Sequence, residues 1–229
     1  MFLTLDIVHK LISLITALIT YFWLIPVLGY FRAWVAKKMG DSTPEMLGYL
    51  TLNPFVHTDM IGILVLCIFG AGWGVQIPIY LNNIQGRFET PRRLFALFSD
   101  AILSFIIAVM VAVIATVMLG YNYNQLMSVG AQPPSVAVAF CSLLIATLKL
   151  SMFLMIINIV NNGATYLVWL FSKRTSFYDP YVQLFLMFGP LFIYIVFGNL
   201  LYIGLFKGVI YVSDNILNLF GNEIIWRIR

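Results

Sequence analysis

The sequence predicts an all-α polytopic membrane protein of about four to five transmembrane helices plus a re-entrant loop, and three observations carry that prediction. Of the 229 residues, 62% are hydrophobic and only 10% charged, against about 45–50% and about 25% in ordinary globular domains. Apolar runs of span length recur along the chain. The Lys and Arg residues gather between those runs. A water-soluble fold could not hide this much apolar surface, so much of the solvent must be lipid. The length suits a single membrane domain over 1–229 and leaves no room for a separate soluble one. The net charge of +4 includes no long Lys/Arg run, so a nucleic-acid arm is not expected and the excess reads as cytoplasmic loop charge.

The first span is expected within 11–34, its core at Leu11–Tyr30, with Pro26 and Gly29 breaking its far end. Its apolar stretch is too long for the core of a cleaved signal, so it should stay attached. Cytoplasmic and re-entrant structure is expected over 35–95, and a helical core over 96–206. Within that core Ala96–Leu119 and Val136–Val160 read as spans. The second of these continues past Asn161-Asn162-Gly163 into Ala164–Phe171 as a long, broken helix. Leu184–Phe206 reads as the last span, kinked at Gly189-Pro190. The tail, 207–229, reads as an amphipathic segment in the interface, with a fifth crossing as the alternative.

Charge decides how Ile61–Tyr80 is read. It is apolar but holds Gly62, Gly70, Gly72, Gly74 and Pro78, which suit a helix interior poorly. Lys37 and Lys38 precede it, and Arg87, Arg92 and Arg93 follow, so both flanks belong in the cytoplasm. A single segment between two cytoplasmic flanks must enter and return. The uncharged loop Gly120–Ser135 then lies outside and Ser172–Tyr181 inside, which leaves both termini outside. Cys67 and Cys141 read as buried, packed thiols, and Tyr21, Phe22, Trp23, Trp34, Trp73 and Trp169 as interfacial anchors.

From Ala33 to Pro78 the residues become specific. Ala33-Trp34-Val35-Ala36, Gly40-Asp41, Thr43-Pro44, Leu47-Gly48 and Leu50-Thr51-Leu52-Asn53-Pro54 are followed in register by His57, Asp59, Ile61-Gly62, Gly72-Trp73 and Pro78. This order resembles the compact bacterial branch of the site-2 family of intramembrane zinc metalloproteases. Pro91-Arg92-Arg93 continues the likeness, with a fainter echo at Asn158 and around Tyr178–Leu186. In that family H-E-x-x-H directly precedes the Ala-Trp-Val-Ala stretch. Two His one helical turn apart hold zinc, and the Glu activates its water. The resemblance places Leu28 at the first His, Gly29 at the Glu and Arg32 at the second His. The family's third ligand is an Asp, and alignment on Asn158 places Tyr166 there. A catalytic zinc needs three protein ligands. The resemblance therefore implies a site-2-protease-like core with no catalytic residue, no metal and no cofactor. With two His in the chain, at 9 and 57, a rebuilt metal site or a Ser or Cys mechanism is not expected. His57 and Asp59 read as loop braces.

Polar residues inside the apolar runs ask for a reason, because lipid penalises them. Helix rise puts Asp100 about 6 Å inside the cytoplasmic boundary and Lys149 about 16–17 Å from it. They read as an ion pair, or Lys149 as a snorkelling side chain, with contact to a polar residue of a partner helix as the sharper alternative. Arg32 either reaches the headgroups or fills the former metal position, bonding carbonyls freed at the Asn161-Asn162-Gly163 break. Asn158, Asn161 and Asn162 are candidates to bond across helices or to a peptide.

The leading expectation is a non-catalytic subunit that binds transmembrane partners as a scaffold or assembly factor of a larger hetero-oligomeric complex. Its setting is the lipid bilayer, read as a bacterial inner membrane, with other integral membrane proteins as partners. A transport or secretion channel lined by Asp100 and Lys149 is the alternative, and a hydrolase with an atypical site the second.

Overall fold

A computed structural model describes residues 2–129, 135–172, 203–204, 207–209 and 211–212. Three long helices make the frame: α1 (Phe2–Met39), α5 (Glu89–Val129) and α6 (Ser135–Ser172). Each holds a stretch long and apolar enough to cross a membrane, namely Lys10–Met39, Glu89–Met118 and Ala139–Leu170. Between α1 and α5 lie α2 (Thr43–Met46), α3 (Pro54–His57) and α4 (Met60–Phe69). No strand is present among the described residues beyond a single bridge, Thr58 to Gly74. Most of the expected span Leu184–Phe206, the loop from 173 to 181 and most of the tail lie outside the described residues.

Two expected breaks are absent. α1 runs through Pro26 and Gly29 to Met39, and α6 runs unbroken through Asn161-Asn162-Gly163. In hydrocarbon a backbone that leaves the helix loses partners it cannot replace, so weak helix formers stay helical. Pro26 costs one backbone bond and is itself buried in the bundle. The expected outer loop Gly120–Ser135 is also shorter, because α5 continues to Val129.

α5 and α6 share the largest interface, and α1 packs against both. The main core joins Tyr21, Leu24, Ile25 and Leu28 of α1 to Leu150, Phe153, Leu154 and Ile157 of α6, with Ile107 and Val111 of α5. A second core, where α1 meets the start of α5, holds Val35, Ala36, Ile79, Leu81, Ile84, Ala96 and Leu97. Val209 is fully buried against Ala108, Ala112 and Met152.

The segment between α1 and α5 doubles back. α4 spans ten residues, about 15 Å of helix. It starts on the Asp59 side chain, which accepts from Ile61 N at 2.9 Å, and stops at Gly70, whose φ of 74° is left-handed. From there the chain returns beside α4's own start, where Val75 N donates to His57 O at 2.8 Å. The close approach needs glycine. A Cβ on Gly62 would collide with the Trp73 carbonyl, and one on Gly72 with the Gly62 carbonyl. The glycines that seemed to deny a helix here instead let the returning segment lie against it.

Asp41 ties both ends of this segment to α1. Its carboxylate accepts from Thr43 N and Oγ1, from Asn83 Nδ2 at 2.8 Å and from Tyr80 N at 2.7 Å. Arg92 Nη2 donates to Met39 O at 2.8 Å, so α5 begins where α1 ends. The outer face of α4 is exposed at Met60, Leu64, Ile68 and Phe69, and Cys67 lies there too, not buried as expected. Cys141 is half-buried.

Candidate functional site: a polar cavity at Arg32

Arg32, Asp100 and Asn162 come from three helices to one point. Arg32 Nη1 donates to Asp100 Oδ2 at 2.6 Å, to Asn162 Oδ1 at 2.7 Å and to Leu97 O at 3.3 Å. Asn162 Nδ2 donates to Asp100 Oδ1 at 2.9 Å, and that oxygen also accepts from Ala101 N at 2.8 Å. Arg32 is 3% exposed, Asp100 6% and Asn162 0%. A buried charge of either sign is costly unless paired and hydrogen-bonded. Here each ion is paired, and the Asn amide joins the two with one donor and one acceptor.

This geometry corrects three expectations. Arg32 does not reach the headgroups, because its side chain is enclosed. It does not bond freed backbone of α6, because α6 frees none there; its partner on that helix is the Asn162 side chain. Asp100 pairs with Arg32, while Lys149 is exposed and has no ion-pair partner among the described residues. Two of the six supposed interfacial aromatics are also internal. Tyr21 is fully buried and donates to Trp73 O at 2.8 Å, and Trp73 Nε1 donates to Asp59 Oδ2 at 3.1 Å.

A cavity of about 470 Å³ adjoins the ion pair. α1 lines it with Ile25, Leu28, Gly29 and Arg32, and α6 with Leu154, Ile157, Asn158, Asn161 and Asn162. The returning segment adds Trp73 to Ile77, with His57 and Asp59 at its edge. Of the positions the resemblance singled out, Leu28, Gly29 and Arg32 therefore border one space. Tyr166 does not: it packs into the second core with its ring 5.7 Å from that of Trp169. The α6 residue facing Arg32 is Asn162, one turn earlier.

Gly29 is occupied by its neighbour. A Cβ there would overlap the His57 ring at Nδ1, so the ring lies directly on the α1 backbone. His57 Nε2 is 2.8 Å from Thr51 O and must carry the proton to make that bond, which leaves Nδ1 bare. Burial pushes the His57 pKa below its ordinary 6.5, partly offset by the Thr51 carbonyl. It is a brace, as expected, and also the wall behind Gly29.

Five buried polar atoms have no hydrogen-bond partner among the described residues: Arg32 Nε and Nη2, His57 Nδ1, Gln76 Nε2 and Asn161 Oδ1. All belong to residues that line the cavity. Gln76 was missed at the sequence level, although it is the one amide in an otherwise apolar run and could have been marked on that ground. A zinc ion does not fit these residues. Arg32 sets a cation in the lining, both Asp100 oxygens are engaged, and the unpartnered atoms are mostly N–H donors. Among the described residues no three His, Cys, Asp or Glu side chains gather into a metal-holding group.

Comparison with known proteins agrees with the resemblance over a limited length. A stretch of 48 residues is 44% identical to the "Putative zinc metalloprotease YwhC" of Bacillus subtilis (strain 168). The match covers 21% of this chain and 22% of that protein. It is a likeness over one segment. No protein-family model matches the chain, and no solved structure does.

Proposed function

We propose that this chain is a non-catalytic membrane subunit on a site-2-protease-like scaffold. In this reading it holds a transmembrane segment of another integral membrane protein within a larger hetero-oligomeric complex, in a bacterial inner membrane. The observation that carries the reading is the Arg32–Asp100 ion pair at 2.6 Å, sealed by Asn162. It stands where the resemblance puts the second zinc-binding His, and it turns a metal position into a structural cross-link between helices. The cavity beside it, with apolar walls from α1 and α6, admits part of a partner's segment, about one helical turn. The segment Ile61–Tyr80 belongs to the same reading as a re-entrant loop: α4 covers about half of a 30 Å hydrocarbon core.

Purification in mild detergent at native expression level, with mass spectrometry and metal analysis of one sample, tests this. The expected outcome is a stoichiometric membrane partner and no zinc. A lone chain carrying about one zinc per molecule would overturn the proposal, since one catalytic site binds one such ion.

A further inference from the structure

We infer that the cavity recognises a neutral amide group, with Arg32 and Gln76 donating to its oxygen and Asn161 accepting from its N–H. This rests on the reading of the cavity as a partner site and names the chemistry the partner must offer.

Arg32 Nη1 is shared among Asp100, Asn162 and Leu97 O, whereas Nε and Nη2, the other edge of the same guanidinium, have no partner among the described residues. Gln76 Nε2 is a further buried donor and Asn161 Oδ1 a buried acceptor. His57 Nδ1 is set aside, because the α1 backbone at Gly29 covers it. Unpaired buried polar groups are expensive, so this set favours a ligand that answers it.

Charge selects among ligands. Arg32 and Asp100 already neutralise one another, both oxygens of Asp100 being engaged. Asp59 also lines the cavity, so an anion would face two carboxylates, and a cation would face the three N–H donors of Arg32 and Gln76. A neutral group avoids both penalties. It must present an acceptor oxygen to the N–H cluster and a donor to Asn161, and an amide carries that pair on one carbonyl carbon. Ile25, Leu28, Leu154 and Ile157 supply apolar wall for the chain that bears it.

Within a membrane such amides come from two sources. Intact helices satisfy their own backbone, so the group is either an Asn or Gln side chain or the backbone at a helix break.

The test uses the full chain in lipid nanodiscs and lysine-flanked Leu/Ala transmembrane peptides as probes. Binding is read by energy transfer to a dye on Cys67, with Cys141→Ser. Four peptides are compared: an all-apolar host, the host with one Gln about two turns from one end, the host with a Gly-Pro break there, and the host with Glu there. The Gln or the broken peptide should bind about tenfold tighter than the apolar host, the former assigning a side-chain source and the latter a backbone source. Gln76→Leu and Asn161→Leu should abolish the preference. Neither residue belongs to the Arg32–Asp100 cross-link and each loses an unpaired buried group, so neither variant should melt below the wild type. Equal binding of all peptides, as a cavity that holds only water would give, overturns the inference. Tightest binding of the Glu peptide, or a Gln preference that survives both variants, overturns it too. A co-purifying partner without amide preference would leave the scaffold reading standing, and the converse result would sink that reading alone.

Discussion

Arg32 sits on α1 with Leu28 one turn before it and Ala36 one turn after, both buried, so its cation stands in a wall that is otherwise apolar. What makes it tolerable is the pairing, and a pair of this kind is judged by what removing one member leaves behind. Asp100→Leu would strand the guanidinium, and Arg32→Met would strand the carboxylate. Each should cost about 3–5 kcal/mol, whereas replacing both with apolar residues of similar volume is often close to neutral. The thermal midpoint in detergent should therefore fall sharply in either single variant and recover for the most part in Arg32→Met/Asp100→Leu. A single variant that melts like the wild type would mean that Arg32 reaches water. Asn162 explains itself in the same terms. An Asn side chain in a helix usually competes for nearby backbone, but this one is spent on two ions across the interface, so α6 keeps its backbone bonds.

At the scale of elements, α4 and its return show how a short apolar helix is held. Asp59 accepts from Ile61 N at the helix start and from Trp73 Nε1 on the returning chain, while Tyr21 OH accepts from Asp59 N and donates to Trp73 O. One carboxylate thus caps the helix and clasps its partner. Asp59→Ala should remove about 1–2 kcal/mol of local stability. Amide hydrogen exchange over 60–80 should then quicken by about an order of magnitude, while α1, α5 and α6 exchange as before. Unchanged exchange over 60–80 would show that the glycine-mediated contacts hold the hairpin without the cap. The start of α5 is fixed similarly: Arg93 donates to Leu81 O at 2.9 Å, pairs with Glu89 and lies 5.0 Å from the centre of the Trp169 ring. Trp169 in turn donates to Asn82, which makes it part of a joint between elements.

At the scale of the whole molecule, charge assigns each segment a side of the membrane. The charged flanks and the doubling-back of 59–75 predict that α4 enters and leaves from the cytoplasmic side. In a chain with Cys67→Ser and Cys141→Ser, single cysteines at Met46 and Arg87, both exposed, should each react with an impermeant maleimide from the cytoplasmic side only. Labelling of the two from opposite sides would make 60–80 a crossing and reverse the topology that follows.

How much of this was legible in the sequence differs from one feature to the next. That the chain lives in lipid, and where three of its apolar helices lie, follows from composition and local hydropathy. These are sums over neighbouring residues and need no knowledge of the fold. The resemblance at Ala33–Pro78 likewise marked the position of Arg32 before any contact was known. Local reading misjudged the helix ends and breaks at Pro26 and Asn161-Asn162-Gly163, since propensity measured in water understates the pressure to stay helical in hydrocarbon. Only the tertiary structure decided the pairing. Arg32 meets Asp100 at a separation of 68 residues and Asn162 at 130, while Lys149, an equally reasonable partner for Asp100 by depth, is exposed elsewhere. Depth can be counted along one helix. Which face it turns toward its neighbours is set by packing between helices, and no single segment contains that information.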